Sequence, residues 1–318
     1  MEVPSWARQV EDIMRNGIQS PGVWNSLSKS IAEAIEAVQE SIVTIDGGGR
    51  STSSGVVWRP GVVVTVRNGL RRSEGIKVAR GSEPFNASVA GTDAGTDLAV
   101  LRVESNSLKP AETSGFESAR VGEVVLSVGR SVLGDISASS GIIARLGSPW
   151  RTWRGGQIDC LIRPDVRLYV GQVGSALVNE EHRILGINSL ALARNAVITV
   201  PTQTIDRVVD AILERGHVPR PFLGVAMQAV PVPETLRAQF AEGVDQVLLV
   251  LHVEPNAPAA SGGVLVGDLI LSLNGDPVHD VRDALHRIAS LSVGDSVSLV
   301  VIRGGARMEL TLTVADRG

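Results

Sequence analysis

Residues 169–179 read YVGQVGSALVN. Gly171 and Gly174 bracket a Gln172-Val173 step, and the small pair Ser175-Ala176 hands over to the apolar Leu177-Val178. This is a tight glycine turn set between short strands. The same pattern continues on both sides. From Ser41 to Val200 the chain runs in short β-branched segments, among them SIVTID, GVVVTV, DLAVLRV, GEVVLSVG, SGIIARL, QIDCLIR, RILGINS and NAVITV. Gly, Asn, Asp and Ser separate them. Many short strands with closely spaced turn signals predict antiparallel sheets closed as a sandwich or as barrels. PTQTIDRVVDAILERG (201–216) then predicts one amphipathic helix, with Ile205, Val209 and Ile212 in register and Gly216 as its stop.

Ahead of the strands, residues 5–17 carry Trp6, Val10, Ile13 and Met14 at helical spacing. A second helix is expected from Leu27 to Gln39, with Ser30 and Glu33 as a capping box and Ile31, Ile35 and Val38 as its apolar face. Behind the strands, HVPRP (217–221) reads as a linker into a second β-rich unit of ordinary small-domain size. That unit has strands at FLGVAM, QVLLVLHV, DLILSLNG, SVSLVVIRG and RMELTLTV, and a helix near VRDALHRIA opened by Asp280. DGGGRSTSSG (46–55) reads as a flexible tip that needs no function. SPWRTWRGG (148–156) reads as a loop between two strands, its Trp-Arg interleaving set against an acidic chain.

The composition is that of an ordinary globular chain: 318 residues, 43% hydrophobic and 20% charged. A net charge of −4 gives no electrostatic footprint for nucleic acid or an anionic membrane. Cys160 is the only cysteine, which excludes an intrachain disulfide and a cysteine metal cluster and fits a reducing compartment. The first residues lack a basic segment followed by an apolar one, and no run approaches the length of a membrane span. The expectation is a cytoplasmic chain as given, or a periplasmic or extracellular one if a leader was removed.

Four words in order now resemble one family. They are SGVVW (54–58) ahead of GVVVTVRNGL (61–70), GTDAGTDLAVLRV (91–103), IRPDVRLYVGQVGSALVN (162–179) with RILGINS (183–189), and RPFLGV (220–225). From about Leu27 onward the chain resembles the HtrA (Deg) serine proteases. The resemblance implies an all-β dominated fold: a trypsin-like double β-barrel with flanking helices over 27–218, then a PDZ domain over 219–318. Residues 1–26 are expected to form an N-terminal helical extension. No cofactor and no metal are implied.

Serine proteolysis needs a hydroxyl nucleophile, an imidazole base, a carboxylate to orient the base and N–H groups for the oxyanion. Laid on the family pattern, the histidine position falls on Asn68, the aspartate on Asp97 and the nucleophile on Val173. Asparagine is no general base near neutral pH, and valine has no nucleophilic atom. Ser175 lies two residues past the nucleophile, with its hydroxyl expected to point away. The histidines, at 182, 217, 252, 279 and 286, all lie outside the first barrel, and Lys29, Lys77 and Lys109 match no serine–lysine motif. Without a histidine to orient, Asp97 reads better as an acceptor of backbone hydrogen bonds than as a catalytic group. The expectation is a catalytically inactive homologue, not an enzyme. The alternative is an active serine endopeptidase of protein quality control with a non-standard centre.

In the second unit, Phe222-Leu223-Gly224-Val225 resembles the loop whose N–H groups hold a peptide carboxylate in PDZ domains, with Arg220 just before it. Val281 and Leu285, on the helix that lines the groove in the family, are expected as pocket wall. Asn274-Gly275 signals a tight turn. The implied partners are unfolded polypeptides or protein C-termini, bound in the role of scaffold, chaperone or regulator. A homotrimer or an assembly with an active relative is also implied, with Trp6 and Trp24 as candidate contacts.

Overall fold

The computed structural model describes residues 22–317, apart from 50, 106, 132, 241–243 and 279. The helix expected at 5–17, with Trp6, lies outside the described residues. The chain divides into two compact units, one ending at Gly216 and one beginning at His217.

Helix α1 spans Val23–Val38 and starts four residues earlier than expected. The Gly22 carbonyl already accepts from the N–H groups of Asn25 and Ser26, so the helix propagates from there and Ser30 sits mid-helix instead of capping it. The expected 26/27 boundary therefore falls inside one continuous helix. Ala34 and Val38 are buried near its C-terminal end, while Val23, Trp24 and Leu27 stand exposed at its start.

Strands β1 (Ile42–Asp46), β2 (Ser53–Arg59), β3 (Val62–Val66), β4 (Ile76–Arg80), β5 (Glu83–Asp93) and β6 (Leu98–Val103) close into a first barrel in the order β1-β2-β3-β6-β5-β4. Closure leaves no unpaired strand edge. The β-branched runs fill it: Val43, Ile45, Val57, Val63, Val78 and Leu101 form one buried cluster.

Strands β7 (Val124–Arg130) and β8 (Ile136–Gly147) open the second barrel. A two-stranded hairpin follows, β9 (Trp150–Arg151) with β10 (Gln157–Ile158), where the sequence suggested a loop. QIDCLIR is accordingly not one strand: its first two residues pair in the hairpin and Leu161–Pro164 enters the barrel as β11. With β12 (Ala176–Val178), β13 (Ile184–Ser189) and β14 (Ile198–Pro201) the barrel closes as β11-β14-β13-β12-β7-β8. Helix α2 (Thr202–Arg215) ends on Gly216 in the left-handed region, as the sequence predicts. It ties back to β2 through Trp58 Nε1, which donates to Asp206 Oδ1 at 2.7 Å, and through Arg59 with Asp210 at 2.6 Å.

The second unit holds β15 (Pro221–Phe222), β16 (Val225–Pro231), β17 (Gln246–Val253), the short helix α3 (Pro258–Ser261), β18 (Leu269–Leu273), β19 (Asp276–Pro277), helix α4 (Val281–Ala289), β20 (Ser296–Arg303), β21 (Ala306–Thr313) and β22 (Ala315–Asp316). Its main sheet runs β16-β17-β18-β20-β21, with β19 on β18. Asn274 and Gly275 both take positive φ, the geometry of a two-residue hairpin turn. Asp280 caps α4 by accepting from the Asp283 N–H at 2.7 Å. Asp268 is buried and bidentate with Arg303, both contacts being 2.8 Å. Two barrels of strands followed by a small sheet with a helix are the fold the sequence predicts.

Candidate functional site

Asn68 sits in a single 3-10 turn, Arg67–Gly69, directly after β3, and Val173 sits in the glycine turn before β12. Both line one open cleft of about 820 Å³ in the first unit. Asp97 lies behind Asn68 and is only 2% exposed. Its Oδ1 accepts the Asn68 N–H at 3.1 Å, its Oδ2 accepts the Ser189 hydroxyl at 2.7 Å, and its carbonyl accepts the Arg67 N–H at 2.7 Å. Burial pushes the Asp97 carboxyl above its ordinary value, and the Ser189 hydroxyl and Asn68 amide only partly pull it back. The backbone at Asp97 adopts φ 59°, unusual for a non-glycine residue. Its three hydrogen bonds hold it there.

The turn around Val173 is held from inside. The Gln172 N–H donates to the Tyr169 carbonyl at 3.0 Å. The buried Gln172 side chain donates to the Ser137 carbonyl at 2.7 Å and accepts the Tyr169 N–H at 2.9 Å. Ser54, on β2 of the first barrel, donates through Oγ to the Gly171 carbonyl at 2.8 Å and through N–H to the Val173 carbonyl at 2.9 Å. Gly174 has φ 85°, and a Cβ there would stand 2.3 Å from the Ser54 carbonyl oxygen. Only glycine fits.

Ser175 is fully buried and turned away from the cleft. Its Oγ lies 2.9 Å from Ser127 Oγ and accepts from Asn188 Nδ2 at 3.1 Å. His182 occupies the β12–β13 turn at φ 63° and does not line the cleft. His217, His252 and His286 belong to the second unit, and His279 lies outside the described residues. Among the described lining residues there are hydroxyls, but no His, Lys, Asp or Glu that could serve them as a base.

Two contributions escape the sequence. The DGGGRSTSSG stretch is not an idle tip: Gly48, Gly49, Ser51, Thr52 and Ser53 line the cleft. The Gly47 carbonyl accepts from the N–H groups of both Arg71 and Arg72, which folds the two segments together. Three glycines beside a later Arg pair were the available signal. Ser189 is the second. It is the last residue of β13, and only the pairing of strands brings its hydroxyl to Asp97.

In the second unit, the Leu223 carbonyl accepts the Ala259 N–H at 2.9 Å and the Gly224 carbonyl accepts the Glu254 N–H at 2.8 Å. Across a trans peptide the following N–H points the opposite way, so the amides of Gly224 and Val225 face away from these internal partners. Successive N–H groups turned outward make an anion-binding concavity. Gly224 has φ 80°, and a Cβ there would lie 2.2 Å from Ala257 Cβ. β16 ends the strand order, so its outer edge pairs with no strand among the described residues, and α4 packs beside it.

The remaining predicted side chains spread around that loop. Leu223 is buried in the core, and Val281 packs against the core while partly exposed. Leu285 points outward, 54% exposed. Phe222 is half-buried under the Arg317 guanidinium at 5.3 Å. The Arg220 N–H donates to Asp316 Oδ1 at 2.9 Å, and His217 Nε2 lies 2.6 Å from the other oxygen of that carboxylate.

Comparisons with known proteins fit both units. The trypsin-like peptidase domain family matches residues 53–187, and the PDZ domain family matches residues 221–314. A probable periplasmic serine endoprotease, DegP-like, of Pseudomonas savastanoi is 32% identical over 272 residues, covering 83% of this chain and 56% of that protein. The chain spans about half the length of the DegP-like relatives it matches. The serine endoprotease DegS of Haemophilus influenzae is 26% identical and matches 94% of this chain and 86% of its own. Among solved structures, the HtrA-type protease AlgW with a decapeptide has 25% identity and a TM-score of 0.69, covering 90% of this chain and 98% of that one. No helix among the described residues is long and apolar enough to cross a membrane.

Proposed function

The chain belongs to the HtrA family of trypsin-like serine proteases with a PDZ domain, and on that premise we propose that it binds polypeptides without cutting them. One observation carries this reading. By the family resemblance the imidazole and hydroxyl positions fall on Asn68 and Val173; these two residues line one cleft, and Asp97, buried behind it, accepts the Asn68 N–H. The scaffold of a catalytic triad is in place, and the two groups that exchange the proton are not. Ser175 supplies no substitute, because its hydroxyl is enclosed with Ser127 and Asn188. Stripped of the triad, a serine protease site keeps roughly 10³–10⁴-fold catalysis over water, which is slow on any biological scale.

Binding falls to the second unit. The outward amides of Gly224 and Val225 suit a terminal carboxylate, and the open edge of β16 beside α4 suits an added peptide strand. Leu285, and Val281 at its margin, would form the wall for the last apolar side chain, and Arg220 would add charge attraction near the loop. The role is that of a scaffold or holdase for unfolded chains or exposed C-termini. The relatives named as periplasmic favour that compartment over the cytoplasm.

The second reading, an active endopeptidase with a non-standard centre, has the names of the relatives on its side. A fluorophosphonate that labels activated serines separates the two. The binding reading expects no labelling, together with ligands from a library of free C-terminal peptides that stop binding once amidated. Stoichiometric labelling would establish a working nucleophile instead.

A further inference from the structure

The cleft has a charge that the binding of peptide termini leaves unexplained. Among its described lining residues the only ionised side chain is Arg71, and no Asp or Glu accompanies it. Arg72, its neighbour, sits 3.5 Å from Asp46. Arg71 makes no ion pair among the described residues. Its backbone is fixed by the N–H bond to the Gly47 carbonyl at 2.9 Å, and its stem lies beside Gly49, where a Cβ would come within 3.6 Å of Arg71 Cγ. The base of the side chain is thus held against the glycine segment that also lines the cleft. Asp97 does not offset this charge at the cleft surface, being buried against Ser189 and Asn68.

The same cleft presents apolar surface to water: Tyr169 is 47% exposed, Val170 70% and Leu190 45%. A free cation beside exposed apolar side chains, with about 820 Å³ between its walls, is complementary to an extended segment that carries both an acid and apolar groups. We propose that the cleft is a second binding site, for internal segments of unfolded polypeptides in which Asp or Glu stands next to apolar residues, and that Arg71 selects the carboxylate. This rests on the reading that nothing in the cleft cuts what it holds. It differs from the PDZ site in needing no chain terminus.

The test uses the full chain and two fluorescently labelled decapeptides of Val and Ala, one with two Glu and one with two Gln, both C-terminally amidated so that the carboxylate loop is not engaged. Anisotropy titrations are expected to show the Glu peptide binding about fivefold tighter at low salt, with the preference shrinking at high salt. Arg71→Gln, a change at an exposed position, should erase the preference, so that the Glu and Gln peptides bind alike. Equal affinities for the two peptides, no binding of either, or a Glu preference that survives Arg71→Gln would each overturn the proposal. If free-acid peptides bind and amidated ones do not, the terminus-binding function stands and only the cleft site falls. Cleavage of either peptide would remove the premise itself.

Discussion

The turn at Val173 and the loop at Gly224 are built alike. Each has a glycine at positive φ where a Cβ would strike a neighbour, at 2.3 Å from Ser54 O for Gly174 and 2.2 Å from Ala257 Cβ for Gly224. Each is fixed by internal hydrogen bonds to its own carbonyls. They differ in which atoms carry the chemistry. Proteolysis asks side chains to move a proton, so replacing two of them ends it while the backbone stays in place. Carboxylate capture asks only for backbone N–H groups, which every residue but proline has. The first kind of site is lost by substitution without loss of fold, whereas losing the second requires the backbone to be disturbed.

The largest test of that contrast is a reconstruction. In Asn68→His with Val173→Ser, the new imidazole meets a carboxylate already bonded to the residue-68 N–H and held by Ser189. Casein turnover should rise by about 10²–10⁴-fold over the unmodified chain, and each single change should stay at background because the pair acts as a unit. A folded but inactive double variant would mean that the cleft has lost backbone geometry as well, and the contrast would break.

The converse change comes next in size. Gly224→Ala places a Cβ against Ala257 at a left-handed φ, and free C-terminal peptides should bind at least about tenfold more weakly, with the second unit destabilised by about 1–3 kcal/mol. Calorimetric titration and thermal melts read the two effects.

A smaller test uses two buried carboxylates of opposite tendency. Burial holds the Asp97 carboxyl above its ordinary value. Burial would also raise Asp268, but the Arg303 guanidinium and the Leu265 N–H outweigh it and hold that carboxyl below. For Asp97 the associated stability is fully present below the unfolded pKa of about 3.9 and is lost as pH rises through the higher folded value. For Asp268 it is present above about 3.9 and lost as pH falls through the lower folded value. Acidification should therefore weaken the second unit relative to the first, read by urea melts that follow each unit separately. Asp97→Asn and Asp268→Asn should each remove that residue's own contribution to the difference. The smallest effect belongs to Ser53, whose buried Oγ has no partner among the described residues. Ser53→Ala should leave stability unchanged or raise it by less than about 1 kcal/mol, checked in the same melts.

The strands of both barrels were legible because β-branched runs alternate with turn residues on a scale of a few positions, the range over which sequence pattern operates. The start of α1 was not, since Gly22 begins it without a capping side chain. The β9–β10 hairpin was equally hidden. Its strands are two residues long, and it is anchored by Thr152 Oγ1 donating to the Gly95 carbonyl at 2.8 Å, a contact across 57 positions that no local period encodes. Asn68 and Val173 on the cleft, and Asp97 behind Asn68, could be located from their neighbours in order along the chain. The wall at Gly48–Ser53, the Ser189 hydroxyl and the cation at Arg71 come from strand pairing and long-range contacts, and could be read only in the folded chain.

The central claim is that this chain binds polypeptides without cutting them, and cleavage of denatured casein by the unmodified chain tests the second half of it most directly. With an active HtrA protease as positive control and Ser175→Ala alongside, the account predicts intact casein for both forms of this chain. Cleavage by the unmodified chain that disappears in Ser175→Ala would contradict it, and would mean that a hydroxyl found here enclosed by Ser127 and Asn188 is the nucleophile after all.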